Sequence, residues 1–205
     1  MPNWNTSLIT DMREAFSVTL PGTSVTRNSA LTVFNGNITK WDTSQVTHMY
    51  LMFSGCTAFN QDISGWNTAQ VTQMHGVFNG CSSFNQPLAN WTTTAVKTMQ
   101  GMFAGATAFN QPIGIWNTAS VTNMQEMFNN AASFNQDIYN WTGTAATDVN
   151  GQSNQFNGAT AFRAKYVCTD SVKGPASSCN TIFYTWSTPS PPSPPPSPPP
   201  SPPPS

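Results

Sequence analysis

Tryptophan recurs every 25 residues through five successive blocks of this chain, and this constant period limits the possible folds more than any other feature of the sequence. The five residues are Trp41, Trp66, Trp91, Trp116 and Trp141. Self-similarity at a fixed period of about 20 to 50 residues is typical of proteins in which one structural unit is stacked repeatedly. The sequence therefore predicts a stacked array.

The other apolar positions of the block keep the same period. Valine follows each of the first four of these tryptophans by five residues, methionine by eight and phenylalanine by twelve. The full unit reads W-x-T-x-x-V-T-x-M-x-x-[MV]-F-x-x-[CA]-x-x-F-N-Q-x-[IL]. Identical side chains at one place per unit form continuous columns when the units stack, and the columns bury a core that no single unit has. We expect the tryptophans in this core; exposed in a column, they would instead stack on sugar rings.

The array extends beyond the five tryptophans in both directions. Trp4 opens an earlier unit, and the unit that follows Trp141 is irregular, as terminal repeats commonly are. We predict a repeat array of about six turns over residues 1–162 with an insertion at 17–33, a C-terminal cap at 163–186 and an extended tail at 187–205.

Within a unit, the local pattern predicts two short elements. Met49, Met52 and Phe53 are spaced as one face of a helix, so a short helix or 3₁₀ segment is expected over residues 48–55. Residues 59–66 are polar-interrupted and contain glycine, and they predict one brief parallel strand. The expected fold class is an α/β repeat solenoid with both elements in every turn. An all-β solenoid with three short strands per turn is the alternative.

The composition argues against several classes of function. The chain has seven Lys and Arg residues, eight Asp and Glu residues and a formal net charge of −1, so no basic stripe exists for nucleic acid. No apolar stretch reaches the roughly 18 residues of a membrane helix. His48 and His75 follow their tryptophans at different distances, and the chain has no CxxC motif or Cys/His cluster. We therefore expect no enzyme activity, cofactor or metal.

The last nineteen residues, from Ser187 to the end, contain only Ser, Thr and Pro. Proline fixes φ and removes a donor, so the sequence predicts a disordered, extended polyproline II spacer. An SH3 or WW ligand is the alternative, although no Arg or Lys flanks the prolines. The Ser-Pro-Pro-Pro runs resemble the hydroxyproline-rich, glycosylated stalks of plant and green-algal extracellular matrix proteins.

The four cysteines form two sets. Cys168 and Cys179 lie beyond the last unit, and a disulfide between them would stabilise this end of the array by about 3 kcal/mol. Such a bridge is usual in secreted proteins. Cys56 and Cys81 occupy one position in adjacent units, where a bridge is geometrically feasible. Alanine fills this position in the next two units, which favours two buried thiols.

Two polar columns are candidates for structure or binding. An asparagine column should satisfy backbone groups turn after turn: Asn60, Asn85, Asn110 and Asn135. A threonine column either caps each turn or presents a regular array of hydroxyl and methyl groups to a sugar or to ice: Thr43, Thr68, Thr93 and Thr118. These threonines are the weak binding-site candidates of the sequence.

The repeat resembles a known family. Residues 53–78 contain the run F-N-Q-x-I-x-x-W-x-T-x-x-V-T-x-M, which recurs nearly verbatim through the array. This run is similar to that of the BspA-type leucine-rich repeat surface proteins, in the 25-residue version known as a mycoplasma-type repeat of unknown function. The resemblance covers residues 4 to about 162. It implies a right-handed, leucine-rich-repeat-like coil at a cell surface, a role in adhesion and no catalytic residue.

The expected location is extracellular or at the cell surface. The chain enters a repeat directly after Met1 without a leader, and we interpret this start as a truncated gene model or a fragment. Four Asn-x-Ser/Thr acceptors are compatible with secretion: Asn5, Asn37, Asn90 and Asn140. The expected function is a non-enzymatic module that binds a protein or a glycan and is carried on the proline-rich stalk. The alternative is a structural cell-wall or matrix glycoprotein without a specific ligand.

Overall fold

A computed structural model describes residues 4–19, 26–147, 153–168 and 179–181. The helices and strands of these residues are few and short: a 3₁₀ helix at Ser29–Val33, α1 at Thr144–Thr147, α2 at Thr160–Lys165, β1 at Tyr166–Val167 and β2 at Asn180–Thr181. The remaining part of the repeat array consists of turns and extended segments that hydrogen-bond from one unit to the next. The predicted tail at 187–205 lies outside the described residues.

Successive units lie side by side in parallel. One residue per unit forms an isolated parallel bridge with its counterpart in the following unit, and the bridged residues are Asp11, His48, Gln73, Thr98 and Asn123. After the insertion the partners are always 25 residues apart, so the units are in register. Because every unit repeats the same bridge, equivalent side chains form columns along the array.

The predicted helix over residues 48–55 is a run of turns in the structure. The amide of Met52 donates to the carbonyl of Met49 at 3.2 Å, whereas the amide of Leu51 donates to the carbonyl of His75 in the next unit at 2.9 Å. Alternate amides thus bond within the unit and between units. An α-helix would direct all of them inside the segment.

A left-handed residue in every unit explains this alternation. It lies ten residues after the tryptophan, with φ values of 53° at Leu51, 61° at Gly76, 57° at Gly101 and 57° at Glu126. A left-handed residue cannot continue a right-handed helix. The apolar spacing of the segment was helical, but the backbone is a series of turns, so a helix or 3₁₀ segment in every unit was the wrong prediction for these residues.

The predicted strand over residues 59–66 is likewise not assigned as a strand. Here the amide of Asn85 donates to the side-chain oxygen of Asn60 at 3.0 Å, and Asn110 donates to Asn85 at 2.9 Å. A side-chain oxygen therefore accepts the bond that a backbone carbonyl accepts in a sheet. This substitution joins the units without a strand ladder.

The core consists of stacked aromatic columns. The first phenylalanine of each unit stacks on that of the next, with ring centroids 5.9 Å apart for Phe53 and Phe78, and 5.6 Å for Phe78 and Phe103. Within a unit, Phe53 packs on Phe59 at 4.0 Å. All four rings are fully buried. Because full burial of such a side chain contributes about 1.5–3 kcal/mol, these columns dominate the stability of the array.

The C-terminal end continues the columns with a shift of three residues. Phe156 stacks on Phe128 at 5.7 Å although the two are 28 residues apart, and Phe162 of α2 stacks on Phe134 at 5.6 Å. Tyr166 in β1 then packs on Phe162 at 4.6 Å. Helix α2 therefore takes the place of a further turn.

A disulfide joins Cys168 to Cys179 beside the short antiparallel pair of β1 and β2. The predicted bridge of the C-terminal cap is thereby confirmed. Cys56 and Cys81 are free and buried. Their thiols donate to the carbonyl oxygens of Phe16 and Phe53 at 3.1 and 3.0 Å, so each thiol has a hydrogen-bond partner in the core.

The two described ends of the insertion at 17–33 are hydrogen-bonded to each other. Thr19 and Thr26 form an antiparallel bridge, and the amides of Arg27 and Asn28 both donate to the carbonyl of Val18. The side chain of Asn28 then caps the 3₁₀ helix by accepting from the amide of Ala30. The insertion thus closes locally, and its residues 20–25 lie outside the described residues.

Candidate interaction surface

The threonine column lies inside the array. Thr43, Thr68, Thr93 and Thr118 are 1–2% exposed. Their hydroxyls donate to the next unit: Thr68 to the carbonyl of Thr92 at 3.0 Å, and Thr93 to that of Asn117 at 2.9 Å. The interpretation of these residues as a hydroxyl array for a sugar is therefore corrected, because burial and these bonds make the hydroxyls inaccessible to a ligand.

The tryptophan rings also face inward. Trp66, Trp91, Trp116 and Trp141 are 1–4% exposed, and Trp41 at the start of the column is half-buried. Each of the four buried rings donates its indole N–H to the backbone carbonyl 28 residues earlier in the chain, as Trp116 does to Leu88 at 3.0 Å. The alternative of exposed indoles that stack on sugars is therefore not available to these four rings.

The asparagine column is occupied by bonds between units. The side-chain oxygen of Asn110 accepts from the amide of Asn135 at 3.0 Å and from the side-chain nitrogen of Gln136 at 2.7 Å. The glutamine that follows each asparagine thus adds a second bond to the same oxygen. Amide ladders of this type tie neighbouring strands or turns together. The column is a structural feature in which the side-chain oxygens of Asn60, Asn85 and Asn110 are already engaged.

A continuous polar strip remains on the outside of the bridged segments. We call the outward side of residues 47–50, 72–75, 97–100 and 122–125 the ladder face. In each segment the methionine points into the core, and the other three residues are half-buried or exposed. The outward side chains are Thr47, His48, Tyr50, Thr72, Gln73, His75, Lys97, Thr98, Gln100, Thr122, Asn123 and Gln125.

Hydrogen bonds hold the ladder face rigidly. The hydroxyl of Thr72 donates to the carbonyl of Thr47 at 3.3 Å, and that of Thr122 donates to Lys97 at 3.1 Å. The side-chain nitrogen of Asn123 donates to the side-chain oxygen of Gln100 at 3.3 Å. These bonds fix the spacing of the polar groups, so a ligand would meet a preformed surface.

An aromatic and cationic cluster lies at one end of the ladder face. The guanidinium of Arg13 lies 5.9 Å from the centre of the Tyr50 ring and donates to its hydroxyl at 3.3 Å. The ring of His75 covers the other face of the Tyr50 ring and stacks on it, with centroids 4.4 Å apart. The rings therefore present their edges to solvent more than their faces.

The two histidines do not predict this cluster, because His48 and His75 follow their tryptophans at different distances. The informative partner is Tyr50, since Tyr50 and His75 both lie nine residues after a tryptophan, as does Arg13. Burial lowers the pKa of His75, which favours the neutral ring in the stack. The 25-residue period therefore contains the signal, although the three residues differ in type and form no column of identical side chains.

The ladder face carries little charge. Lys97 is the one acidic or basic residue among its outward side chains when the histidines are neutral. Arg13, beside the first segment, forms an ion pair of 2.7 Å with Asp11. A neutral face of amides, hydroxyls and two histidines suits short-range hydrogen bonding and offers no field to attract a charged polymer.

Two recesses are lined by residues that do not belong to the ladder face. One of about 450 Å³ is lined at the first unit by residues that include Trp4, Ile9 and Trp41. The other, of about 480 Å³, is lined by residues that include Ile115, Asp137 and Asn140. Neither contains a nucleophile paired with a base, so neither resembles a catalytic site.

Within the described ranges, no group of three or more His, Cys, Asp or Glu side chains is placed to hold a metal ion. In the same residues, no helix is long and apolar enough to cross a bilayer.

The sequence of the chain matches one known family. The family model described as "Mycoplasma protein of unknown function, DUF285" matches residues 1–97 and, a second time, residues 65–169. No curated protein and no solved structure matches the chain. The two family matches together span the whole repeat array and most of the chain, and the chain therefore belongs to the family of Mycoplasma proteins of unknown function, DUF285.

Proposed function

We propose that this protein is a non-enzymatic, extracellular or cell-surface repeat module that binds another protein or a glycan through its ladder face, and that its proline-rich tail is a stalk. The ladder face carries this proposal. It is a preformed, nearly neutral strip in which each of the four segments presents a threonine and at least one further uncharged polar side chain, and repeat arrays commonly bind through such extended regular surfaces.

The accessible polar groups favour binding over catalysis. Gln100 is exposed, and the ladder face also presents the half-buried Gln73; a side-chain amide can both donate and accept hydrogen bonds. The other regular polar columns are occupied by bonds between units, as Asn110 and Thr93 illustrate. The ladder face is therefore the regular surface of the array best able to recognise a ligand.

We further propose a right-handed, leucine-rich-repeat-like solenoid of the BspA type. The resemblance of the F-N-Q-x-I-x-x-W run and the parallel in-register stacking of the units support this class. The secreted location is proposed on two grounds: the disulfide between Cys168 and Cys179, which suits an oxidising compartment, and the Ser-Pro-Pro-Pro tail.

A screen of the full chain on glycan and protein arrays tests the binding function. The variant Gln100→Ala removes an exposed amide from the ladder face, and Gln70→Ala removes an exposed amide from a position outside it. We expect Gln100→Ala to weaken binding to the selected ligand about tenfold, the loss of one to two hydrogen bonds, and Gln70→Ala to leave it unchanged. Equal affinities of the two variants would place the binding site elsewhere.

A structural cell-wall or matrix glycoprotein is the second candidate, and the composition of residues 187–205 favours it. Mass analysis of the tail isolated from the source organism distinguishes the two. Glycosylated hydroxyproline in the tail, combined with no specific ligand on either array, would support the structural role over the binding module.

A further inference from the structure

The four Asn-x-Ser/Thr acceptors fall in one strip of the array. Asn37 lies four residues before a tryptophan, Asn90 and Asn140 lie directly before one, and Asn5 lies directly after one. We call this strip, from four residues before to one residue after each tryptophan, the tryptophan edge. The acceptors occupy none of the ladder-face positions, which lie six to nine residues after the tryptophan. Since the units are stacked in register, one edge of the array carries all four.

The local backbone turns each acceptor outward. Asn5, Asn37, Asn90 and Asn140 are all exposed. The middle residue of each tripeptide is buried instead: Thr6, Ile38, Trp91 and Trp141 are 6%, 1%, 3% and 1% exposed. The third residue, which supplies the hydroxyl, is exposed or half-buried in every case. Asparagine and hydroxyl therefore lie on the same outer side, and the buried middle residue anchors them.

Hydrogen bonds leave the acceptor nitrogen free. In the first two sites the side-chain oxygen of asparagine accepts both the amide and the hydroxyl of the third residue, at 3.1 and 2.7 Å for Asn5 and Ser7 and at 3.1 and 2.8 Å for Asn37 and Thr39. No described residue accepts a hydrogen bond from Nδ2 of any of the four asparagines. This nitrogen is the atom that carries an N-linked glycan, so a sugar can be attached without breaking an internal bond.

An exposed apolar residue lies between two of the sites. Ile115 is 76% exposed and occupies the same position of its unit as Asn90 and Asn140 do in the units before and after. Stacked units are about 5 Å apart. Tyr139, next to Asn140, is a further exposed ring, at 53%. Glycans on both asparagines would cover this apolar patch, which is otherwise unfavourable on a soluble surface.

We propose that Asn5, Asn37, Asn90 and Asn140 are N-glycosylation sites, which make the tryptophan edge a glycan-covered surface and leave the ladder face bare. In this reaction Nδ2 of asparagine bonds to the anomeric carbon of a polyprenyl-pyrophosphate-linked oligosaccharide. The bond between that carbon and the pyrophosphate breaks, the polyprenyl pyrophosphate leaves, and one proton passes from Nδ2 to a base of the transferase. The inference rests on the proposed extracellular location.

Cell-free translation with endoplasmic-reticulum microsomes tests the proposal directly. The full chain is translated behind a cleavable secretion leader and then treated with an amidase that removes N-glycans and converts each modified asparagine to aspartate. We expect treatment to lower the apparent mass of the product and to yield aspartate at the four sites. Conversion at fewer than two of them would overturn the glycan-covered edge. The assay uses no ligand, so its outcome is independent of whether the ladder face binds one.

The repeat supplies a matched gain-of-site test. Asn67 lies directly after a tryptophan, as Asn5 does, is exposed, and accepts the amide of Ala69 at 3.0 Å in the same kind of turn. It lacks only the hydroxyl at the third position. We expect Ala69→Ser to add one further glycan and Ala69→Val to add none. Failure of Ala69→Ser to gain a glycan while Asn5 is modified would contradict the inference that the tryptophan edge is a glycan-covered surface.

Discussion

The indole N–H of Trp91 donates to the carbonyl oxygen of Ile63, 28 positions earlier in the chain, at 3.1 Å. The same bond joins Trp66 to Ile38 at 3.3 Å. Each buried tryptophan therefore contributes to the core through its ring and to the joint between units through its nitrogen. Substitutions that separate the ring from the nitrogen can measure the two contributions independently.

Replacement of Trp91 by alanine should lower the free energy of unfolding by about 3–5 kcal/mol, the range for loss of a large buried aromatic side chain. Trp91→Phe keeps most of the buried ring but leaves the carbonyl of Ile63 unpaired, at a smaller cost of about 1–3 kcal/mol. Urea unfolding monitored by circular dichroism measures both. Trp4→Ala, at a position that is 55% exposed, is the control and should change stability least. Equal losses at Trp4 and Trp91 would contradict a buried column.

Asn85 tests the amide column. Its side-chain oxygen accepts from the amide of Asn110 at 2.9 Å and from the side-chain nitrogen of Gln111 at 3.0 Å. Asn85→Ala removes both bonds and should cost about 1–3 kcal/mol. Asn85→Asp retains an acceptor at the same place and should cost less at neutral pH. Thermal unfolding of the two variants gives the comparison, and an aspartate that destabilises as strongly as alanine would refute the accepting role of this side chain.

Glycine avoids a conformational cost where the backbone is left-handed. Gly105 has a φ of 69°, and a Cβ there would lie 3.5 Å from the Cα of Gly80, an ordinary contact. The cost of Gly105→Ala, about 1–2 kcal/mol, would therefore come from the backbone conformation alone. At Gly65 a Cβ meets nothing within 4 Å and φ is outside the left-handed region, so Gly65→Ala should be neutral or slightly stabilising. Melting temperatures of the two single variants check this difference.

The two free thiols should be inert and should make stability depend on pH at alkaline values. Burial raises the pKa of Cys56 from 9.0 to about 12, and burial is also the main reason that the pKa of Cys81 is raised well above its usual range. Their folded pKa values exceed the unfolded ones, so their contribution to stability is fully present below pH 9 and is lost as the pH rises from 9 towards 12.

Two measurements follow for the thiols. Urea midpoints should fall between pH 9 and 11 for the natural chain, and less for a variant that combines Cys56→Ala with Cys81→Ala, since alanine fills the same column at Ala106 and Ala131. Iodoacetamide at pH 8 should label neither cysteine until the chain is unfolded. Rapid labelling of the folded protein would contradict the buried positions.

The periodic apolar positions of the sequence locate the core side chains. Identical apolar side chains that recur once per unit are removed from water when the units stack. Phe53, Phe78 and Phe103 show this: one offset in the sequence becomes one stack of rings in the structure. The sequence predicts the local backbone conformation less directly than it predicts the core. Leu51 has a left-handed φ of 53° although leucine is a good helix former. Gly76 and Gly101 adopt the same conformation at the equivalent position, and the hydrogen bonds between stacked units impose it on Leu51.

The sequence predicts the burial of polar columns less well than any other feature of the array. Thr93 and Gln100 are both uncharged and polar, and composition alone does not distinguish the buried threonine from the exposed glutamine. The difference comes from which carbonyls the fold leaves without a donor. Asn117 offers such a carbonyl to Thr93, and this acceptor exists only once the next unit is in place.

Because the contacts between successive units are of the same kind, the length of the array can change by whole units. Removal of residues 66–90 would place Trp91 directly after Gly65, and each amide, ring and hydroxyl at the new junction would find the same kind of partner that it has now. A deletion of 24 or 26 residues would displace every later column. Gene duplication and loss in whole blocks of 75 nucleotides therefore offer this lineage a way to lengthen or shorten its exposed strip without redesigning a core.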